Sequence, residues 1–423
     1  MNILYLHCHD AGRYIQPSGH GVATPNLQKL AETGVLFRNA FNVGPTCSPS
    51  RASLVTGQYP HVNGMLGLAH RGYGLNNYGD HIIHQLHEQG YTSALSGTQH
   101  IADNTDDIGY QHVLMESAKP KDMSYAERDL TVAQRAADWI LAGQKKPFFL
   151  SVGFFYPHRP FLETEESTGP DEDPRFVKVP PTLPDTEQTR QDMADYNRSV
   201  KYMDKCCGMV LDALDQAGLT DDTLIIATTD HGIAFPKMKC TLSDHGTGVY
   251  LMIKGPRGFE GGRCVDAMVS HLDIYPTICD LLEIDPNHTI HGKSLMPLIE
   301  GEADRLHNEL FNEINVHAHH EPTRSVRTDR YKLIKRFDPM QPPSVNCDNG
   351  HSKACLCEHG WSDQQREIVE LYDLIFDPTE AHNLLALHSL GDGGAHDPDL
   401  EPVRKGLENK LKDWMQSTND SIG

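Results

Sequence analysis

The sequence predicts an α/β fold, a sheet covered by helices on both faces, with a smaller α+β unit behind it. Short apolar runs of strand length alternate with helical periodicities as far as about residue 304; hairpin-like runs and a terminal helix follow. A further observation says where function sits. His9, Asp10, His100, His158, Asp230 and His231 all fall just after a predicted strand. Open α/β sheets bind ligands beyond the carboxyl ends of their strands.

The elements follow in order. Asn2–Leu6 is a short apolar run, read as a core strand. Thr24–Glu32 reads as a capped helix with apolar residues three and four apart. Val35–Phe41 is a strand leading into a cysteine-bearing loop. Tyr91–Ser96 is a strand closed by Gly97, and Lys146–Phe155 holds a buried one. Gln191–Ala217 is a long amphipathic helix: Met193, Tyr196, Val200, Met203, Cys207, Val210 and Leu214 recur at steps of three and four. Thr223–Thr228 is strongly β-forming, and Thr247–Ile253 is another strand. Further on, Ser325–Lys335 reads as a hairpin, Glu370–Leu374 as a strand before an Asp377-Pro378 turn, and Val403–Met415 as a helix. Gln341–Asp363 is an excursion bearing Pro, Cys and Gly, and Leu390–Asp399 is a Gly- and Asp-rich loop. The expected units are residues 1–304 and 305–423.

With 423 residues, 38% of them hydrophobic, the chain can bury a large core. No apolar run is long enough to span a bilayer. The first residues turn polar too soon for a secretory signal, so a cytoplasmic location is expected. The net charge of -21, from 37 basic and 58 acidic residues, disfavours nucleic acid and anionic membranes as partners. An anionic substrate would therefore rely on a few cations gathered in one pocket. The ten cysteines show no framework spacing. Cys347, Cys355 and Cys357, with His351 and His359 nearby, leave three readings open: free thiols, one local disulfide, or a metal site.

The most specific stretch is Gly44-Pro-Thr-Cys-Ser-Pro-Ser-Arg-Ala-Ser-Leu-Val-Thr-Gly57. Cys47 is followed by Pro49, Arg51 and Thr56-Gly57, placed just before a helix expected to start near Pro49. This pattern resembles the maturation signal of the type I sulfatases. Further resemblance lies in Ala23-Thr-Pro25, Leu36–Phe41, Asn63-Gly-Met65, Pro157-His-Arg159, Asp230–Pro236, Arg324-Ser-Val326 and Glu370–Leu374. The flavour is that of the family's heparan N-sulfatase (sulfamidase) group. The resemblance implies an alkaline-phosphatase-like fold: a large mixed, mostly parallel sheet and a smaller C-terminal α+β subdomain with an antiparallel sheet.

It also implies a chemistry. In that family a maturing enzyme oxidises the cysteine to formylglycine, whose hydrate attacks sulfur with one hydroxyl and expels sulfate through the other. A divalent cation acidifies the attacking hydroxyl. By resemblance its ligands are Asp10, Cys47 after oxidation, Asp230 and His231, with His9 either ligating or flanking. Calcium is the family's usual ion; the imidazoles of His9 and His231 shift the preference towards manganese. Arg51 would neutralise the nucleophile. His100 would act as general base for sulfate release, His158 would assist the leaving group and Lys239 would bridge sulfate and leaving-group oxygen. Thr98 stands where the family carries a lysine. Asn63, His319, His320 and Arg324 would line the pocket of a sulfated saccharide or other small sulfate ester. Two rivals stand beside the sulfatase: a formylglycine-dependent phosphonate monoester or phosphodiester hydrolase, and a non-catalytic binder of sulfated glycans.

Overall fold

The computed structural model describes residues 1–144, 147–162, 172–338, 345–364, 366–386 and 400–422. Its large sheet takes β1 (Asn2–Cys8), β2 (Val35–Phe41), β3 (Thr92–Gly97), β4 (His112–Met115), β5 (Phe148–Gly153), β6 (Thr223–Thr229), β7 (Gly248–Lys254), β8 (Arg263–Val265) and β9 (Val269–Ser270). The order across it is β4-β3-β5-β1-β6-β7-β2-β8, with β9 also on β2. Pairings are parallel except where β7 runs against β6 and β2. The expected mixed, mostly parallel sheet is therefore present.

Alternation along the strands explains the two-sided cover. Leu4, Leu6 and Cys8 of β1 join one apolar core with Val132, Met193, Val200, Met203 and Val210 from the helices Tyr125–Leu141 and Glu187–Gln216. Ile3 and Tyr5 point the other way, into a core with Ala52, Val55, Ile83 and Ile278 from helices on the opposite face. The Glu187–Gln216 helix starts earlier than its apolar rhythm suggests, because Thr186 and Thr189 form a reciprocal cap.

A second sheet, β10 (Leu310–Val316), β11 (His320–Arg327), β12 (Tyr331–Arg336) and β13 (Val369–Asp373), is antiparallel in that order. The helix Leu400–Ser417 packs Leu407, Leu411, Trp414 and Met415 against it, together with Val43, Tyr59 and Leu272 from the first sheet's side. β10 has no clear pattern in sequence. Its Asn312 and Glu313 are buried, and they bond to the Asn42 carbonyl and to His61 on the large-sheet side. The excursion before β13 holds the helix His351–Glu358; its first residues, 341–344, and the expected Leu390–Asp399 loop lie outside the described residues. No helix among the described residues is long and apolar enough to cross a membrane.

Candidate active site

Because β1, β2, β3, β5 and β6 are mutually parallel in direction, their carboxyl ends share one edge of the sheet. β1 delivers His9 and Asp10, β3 delivers Thr98 and His100, β5 leads to His158, and β6 delivers Asp230 and His231. β2 leads to the helix Cys47–Thr56. Cys47 is the first residue of this helix, not a residue ahead of it, and Thr46 is its N-cap. The sulfur thus sits at the positive helix end.

Backbone strain collects here. Asp10 (φ 49°) and His100 (φ 55°) are left-handed, as are Lys237 and Cys240 around Lys239. Gly153 allows the close crossing of the His100 loop over β5: a Cβ there would lie 2.0 Å from the Thr98 carbonyl oxygen.

The floor is enclosed. Asp230 Oδ1 accepts from the backbone N–H groups of Asp10 and His231, both at 2.9 Å. Its Oδ2 accepts from Arg51 Nε and Nη2 at 3.1 and 2.9 Å and lies 3.0 Å from His9 Nδ1. Burial alone would raise the Asp230 pKa, but His231, Arg51 and His9 outweigh it and hold the carboxyl well below its ordinary value. Arg51 also donates to the Cys8 carbonyl and faces His7 Nδ1, a partner with no motif to announce it.

His231 Nδ1 faces the Gly232 carbonyl at 2.9 Å, which turns its Nε2 to the site. That atom lies 3.3 Å from Cys47 Sγ and 3.3 Å from Asp10 Oδ1. Asp10 Oδ1 is buried without a hydrogen-bond partner. His9, Asp10, Cys47 and Asp230 offer ligand atoms all within 4.8 Å of one another. Converging, unshared electron pairs in a buried pocket fit a divalent cation. Burial pushes the Cys47 thiol well above its ordinary pKa despite Lys239, so the unmodified residue is a neutral thiol and not a thiolate nucleophile.

The cations expected from the motifs come together. Lys239 Nζ donates to Asp10 Oδ2 at 2.8 Å and lies 3.4 Å from His158 Nε2. Burial would lower its pKa, but the Asp10 and Asp348 carboxylates outweigh that and keep it charged. His100 Nε2 lies 3.1 Å from His70 Nδ1, while its own Nδ1 is buried without a partner. Burial, then Arg51 and His70, push the His100 pKa down to about 3, so the ring is neutral.

Other expected residues lie elsewhere or face inward. Arg324 is fully buried and committed to Asp420, Asn315 and the Ile314 carbonyl, so it lines no pocket. Asn63 is also buried: its amide donates to Thr56 and Gln58, and its oxygen accepts from Met65, fixing a turn. Thr98 is buried and accepts from Arg128 Nη2 at 2.8 Å, which sets a guanidinium beside the position where a lysine was expected. His319 and His320 are exposed at the β10–β11 turn. Cys347, Cys355 and Cys357 are free thiols, and they join no cluster of metal-capable side chains among the described residues. What their stretch contributes instead is Asp348, whose Oδ2 reaches within 2.8 Å of Lys239 Nζ. No spacing in the sequence announces it.

Comparison with known proteins fits this geometry. Residues 2–284 match the family model described as Sulfatase. The chain belongs to the sulfatase family. Residues 238–342 match a second model, N-sulphoglucosamine sulphohydrolase, C-terminal. The human N-sulphoglucosamine sulphohydrolase is 31% identical over 97% of this chain and 88% of its own length. A solved structure described as a complex with its substrate D-glucosamine-2-N,6-O-disulfate superposes with a TM-score of 0.73 at 18% identity, covering 99% of this sulfatase and 98% of that chain. The phosphonate monoester hydrolase of Agrobacterium radiobacter gives 0.72 at 22% identity, over 99% and 96%. The sulfatase is thus a sulfuric ester hydrolase on an alkaline-phosphatase-like fold, and its family implies a divalent metal and formylglycine.

Proposed function

We propose that this sulfatase hydrolyses a sulfate ester or N-sulfamate of a saccharide, with Cys47 oxidised to formylglycine and one divalent cation held by Asp10, Asp230 and His231. The observation that carries the reading is the convergence of Cys47 with Asp10 and Asp230 within 4.8 Å at a helix N-terminus. The saccharide part is supported by the relative named for N-sulphoglucosamine. Formylglycine supplies, as its hydrate, one hydroxyl to attack sulfur and a second to release sulfate. A bound cation supplies the acidification of that hydroxyl; the mixed oxygen and nitrogen donors favour manganese over the family's usual calcium.

The chain's own residues do the rest. Arg51 keeps Asp230 ionised and in place. Lys239 brings N–H groups to the sulfuryl oxygens, where charge grows as the S–O or S–N bond breaks. His158, partly exposed beside Lys239, can hand a proton to the leaving group once its Nε2 carries one. His100 Nδ1 has no hydrogen-bond partner, and in the tautomer that carries its proton on Nε2 it can take the proton whose loss releases sulfate.

Mass spectrometry of the Cys47 peptide, after coexpression with a formylglycine-generating enzyme, tests the nucleophile. An unmodified thiol alongside full activity would sink this reading. Sulfate release from a panel of N- and O-sulfated mono- and disaccharides tests the substrate class. Thr98 in place of a lysine, with the likeness to the phosphonate monoester hydrolase, favours a second reading. Faster turnover of a phenyl phosphonate monoester than of the matched aryl sulfate would select it.

A further inference from the structure

Lys239 Nζ carries three hydrogens and faces three acceptors of its own chain. Asp10 Oδ2 and Asp348 Oδ2 each lie 2.8 Å away, and His158 Nε2 lies 3.4 Å away. His158 Nδ1 is 2.5 Å from the Arg159 carbonyl oxygen, so the ring proton sits there and Nε2 is an acceptor. The ammonium is almost wholly enclosed. Lys239 bonds to Asp10 and His158, whereas Asp348 meets it only as an ion pair, and Asp348 Oδ2 is buried without a hydrogen-bond partner; for a sulfuryl oxygen to reach the ammonium, one of the three must yield.

The three are not equally free. Asp10 is fully buried in a left-handed backbone and belongs to the floor. His158 is the longest and weakest contact. Asp348 comes from a separate stretch, just ahead of the helix His351–Glu358, and its side chain is 25% exposed. It is also the acceptor that sets a full negative charge at the mouth of a site built for an anion.

We propose that Asp348 is the specificity-determining residue of this site: it yields Lys239 to the incoming sulfuryl oxygen and accepts instead a hydrogen bond from an N–H or O–H group beside that sulfuryl group. The proposal rests on the reading of the site as a sulfatase of saccharides. A mostly buried carboxylate must stay paired, and a hydroxyl- or amine-rich substrate restores the pairing it disrupts. An aryl sulfate without such a donor leaves two anions facing each other. Asp348 therefore selects sulfated amino sugars and polyols and works against donor-poor sulfates.

The test compares the wild type with Asp348→Asn and Asp348→Ala. Turnover is read on N-sulfated glucosamine and on para-nitrophenyl sulfate. Calorimetry reads the binding of inorganic sulfate, and circular dichroism checks the fold. The ratio of kcat/KM for sugar over aryl sulfate is expected to fall about tenfold or more in Asp348→Ala, with a lower KM for the aryl sulfate. Asp348→Asn is expected to bind inorganic sulfate about tenfold more tightly than the wild type. An equal loss on both substrates with the fold intact overturns the proposal, and so does unchanged sulfate affinity. A wild type that turns over the aryl sulfate and no sulfated sugar refutes the saccharide reading instead, while the sulfate-binding arm still decides about Asp348.

Discussion

The floor of the site and its rim are built differently. Asp10, Cys47, Arg51, Asp230 and His231 hang from strand ends and a helix terminus, and each is buried. The charges of Asp10, Arg51 and Asp230 are paired, and the backbone N–H groups of Asp10 and His231 donate to Asp230, so none of these carboxylates or the guanidinium can move without leaving a buried charge unmatched. His158 and Asp348 come from loops and are partly exposed. The floor fixes a reaction, and the rim has room to choose its substrate.

The largest effect should come from the floor. Cys47→Ala is expected to lower kcat/KM by about a thousandfold or more in a sulfate-release assay, with inorganic sulfate still bound. Arg51→Met should come next, and in stability as well as activity. It strands Asp230 in a dry site, so urea denaturation should show a loss of about 3–5 kcal/mol. A loss under about 1 kcal/mol would break the view of the floor as a locked charge network. At the rim, His158→Ala should lower kcat about ten- to a hundredfold and shift stability by no more than about 0.5 kcal/mol. A large stability loss there would erase the distinction between the regions.

The smallest effect on turnover belongs to neither region. Glu380 accepts from Lys332 at 3.1 Å and from the Asp244 N–H. Burial, with Asp244 adding to it against Lys332, raises its pKa from 4.5 to about 7. The folded state thus holds this proton more tightly than the unfolded one. The stability so gained is present below about pH 4.5 and is lost as the pH rises through about 7. Glu380→Gln should flatten the pH dependence of Tm across that window and leave turnover unchanged. A parallel shift at every pH would contradict it.

The two regions were also unequally legible in the sequence. β1, β2 and β6 declare themselves by apolar β-forming runs, and the floor follows from them because strand ends are where an α/β sheet exposes its ligands. The Cys47 stretch is legible because it is local. β10 is not: Asn312 and Glu313 are poor strand formers, held there by partners more than two hundred residues away in sequence. Arg324 shows the converse error. A cation inside a family-like stretch suggested a pocket, but Asp420 and Glu313 enclose it from elements that no local pattern connects. Asp348 is a lone acid in a Cys- and Gly-bearing excursion, and only tertiary structure brings it to Lys239.

Cys47 leaves little surface open once its helix has docked; it is 2% exposed, between the ends of β1 and β6. If Cys47 is oxidised as proposed, the oxidising enzyme must reach it before that docking. On the proposed reading, oxidation of this sulfur and closure of the sheet around it compete along one timeline, and their relative rates during synthesis would set what fraction of molecules is ever competent. A molecule that folds first would then not be slow to mature: it would be shut out until it unfolds again.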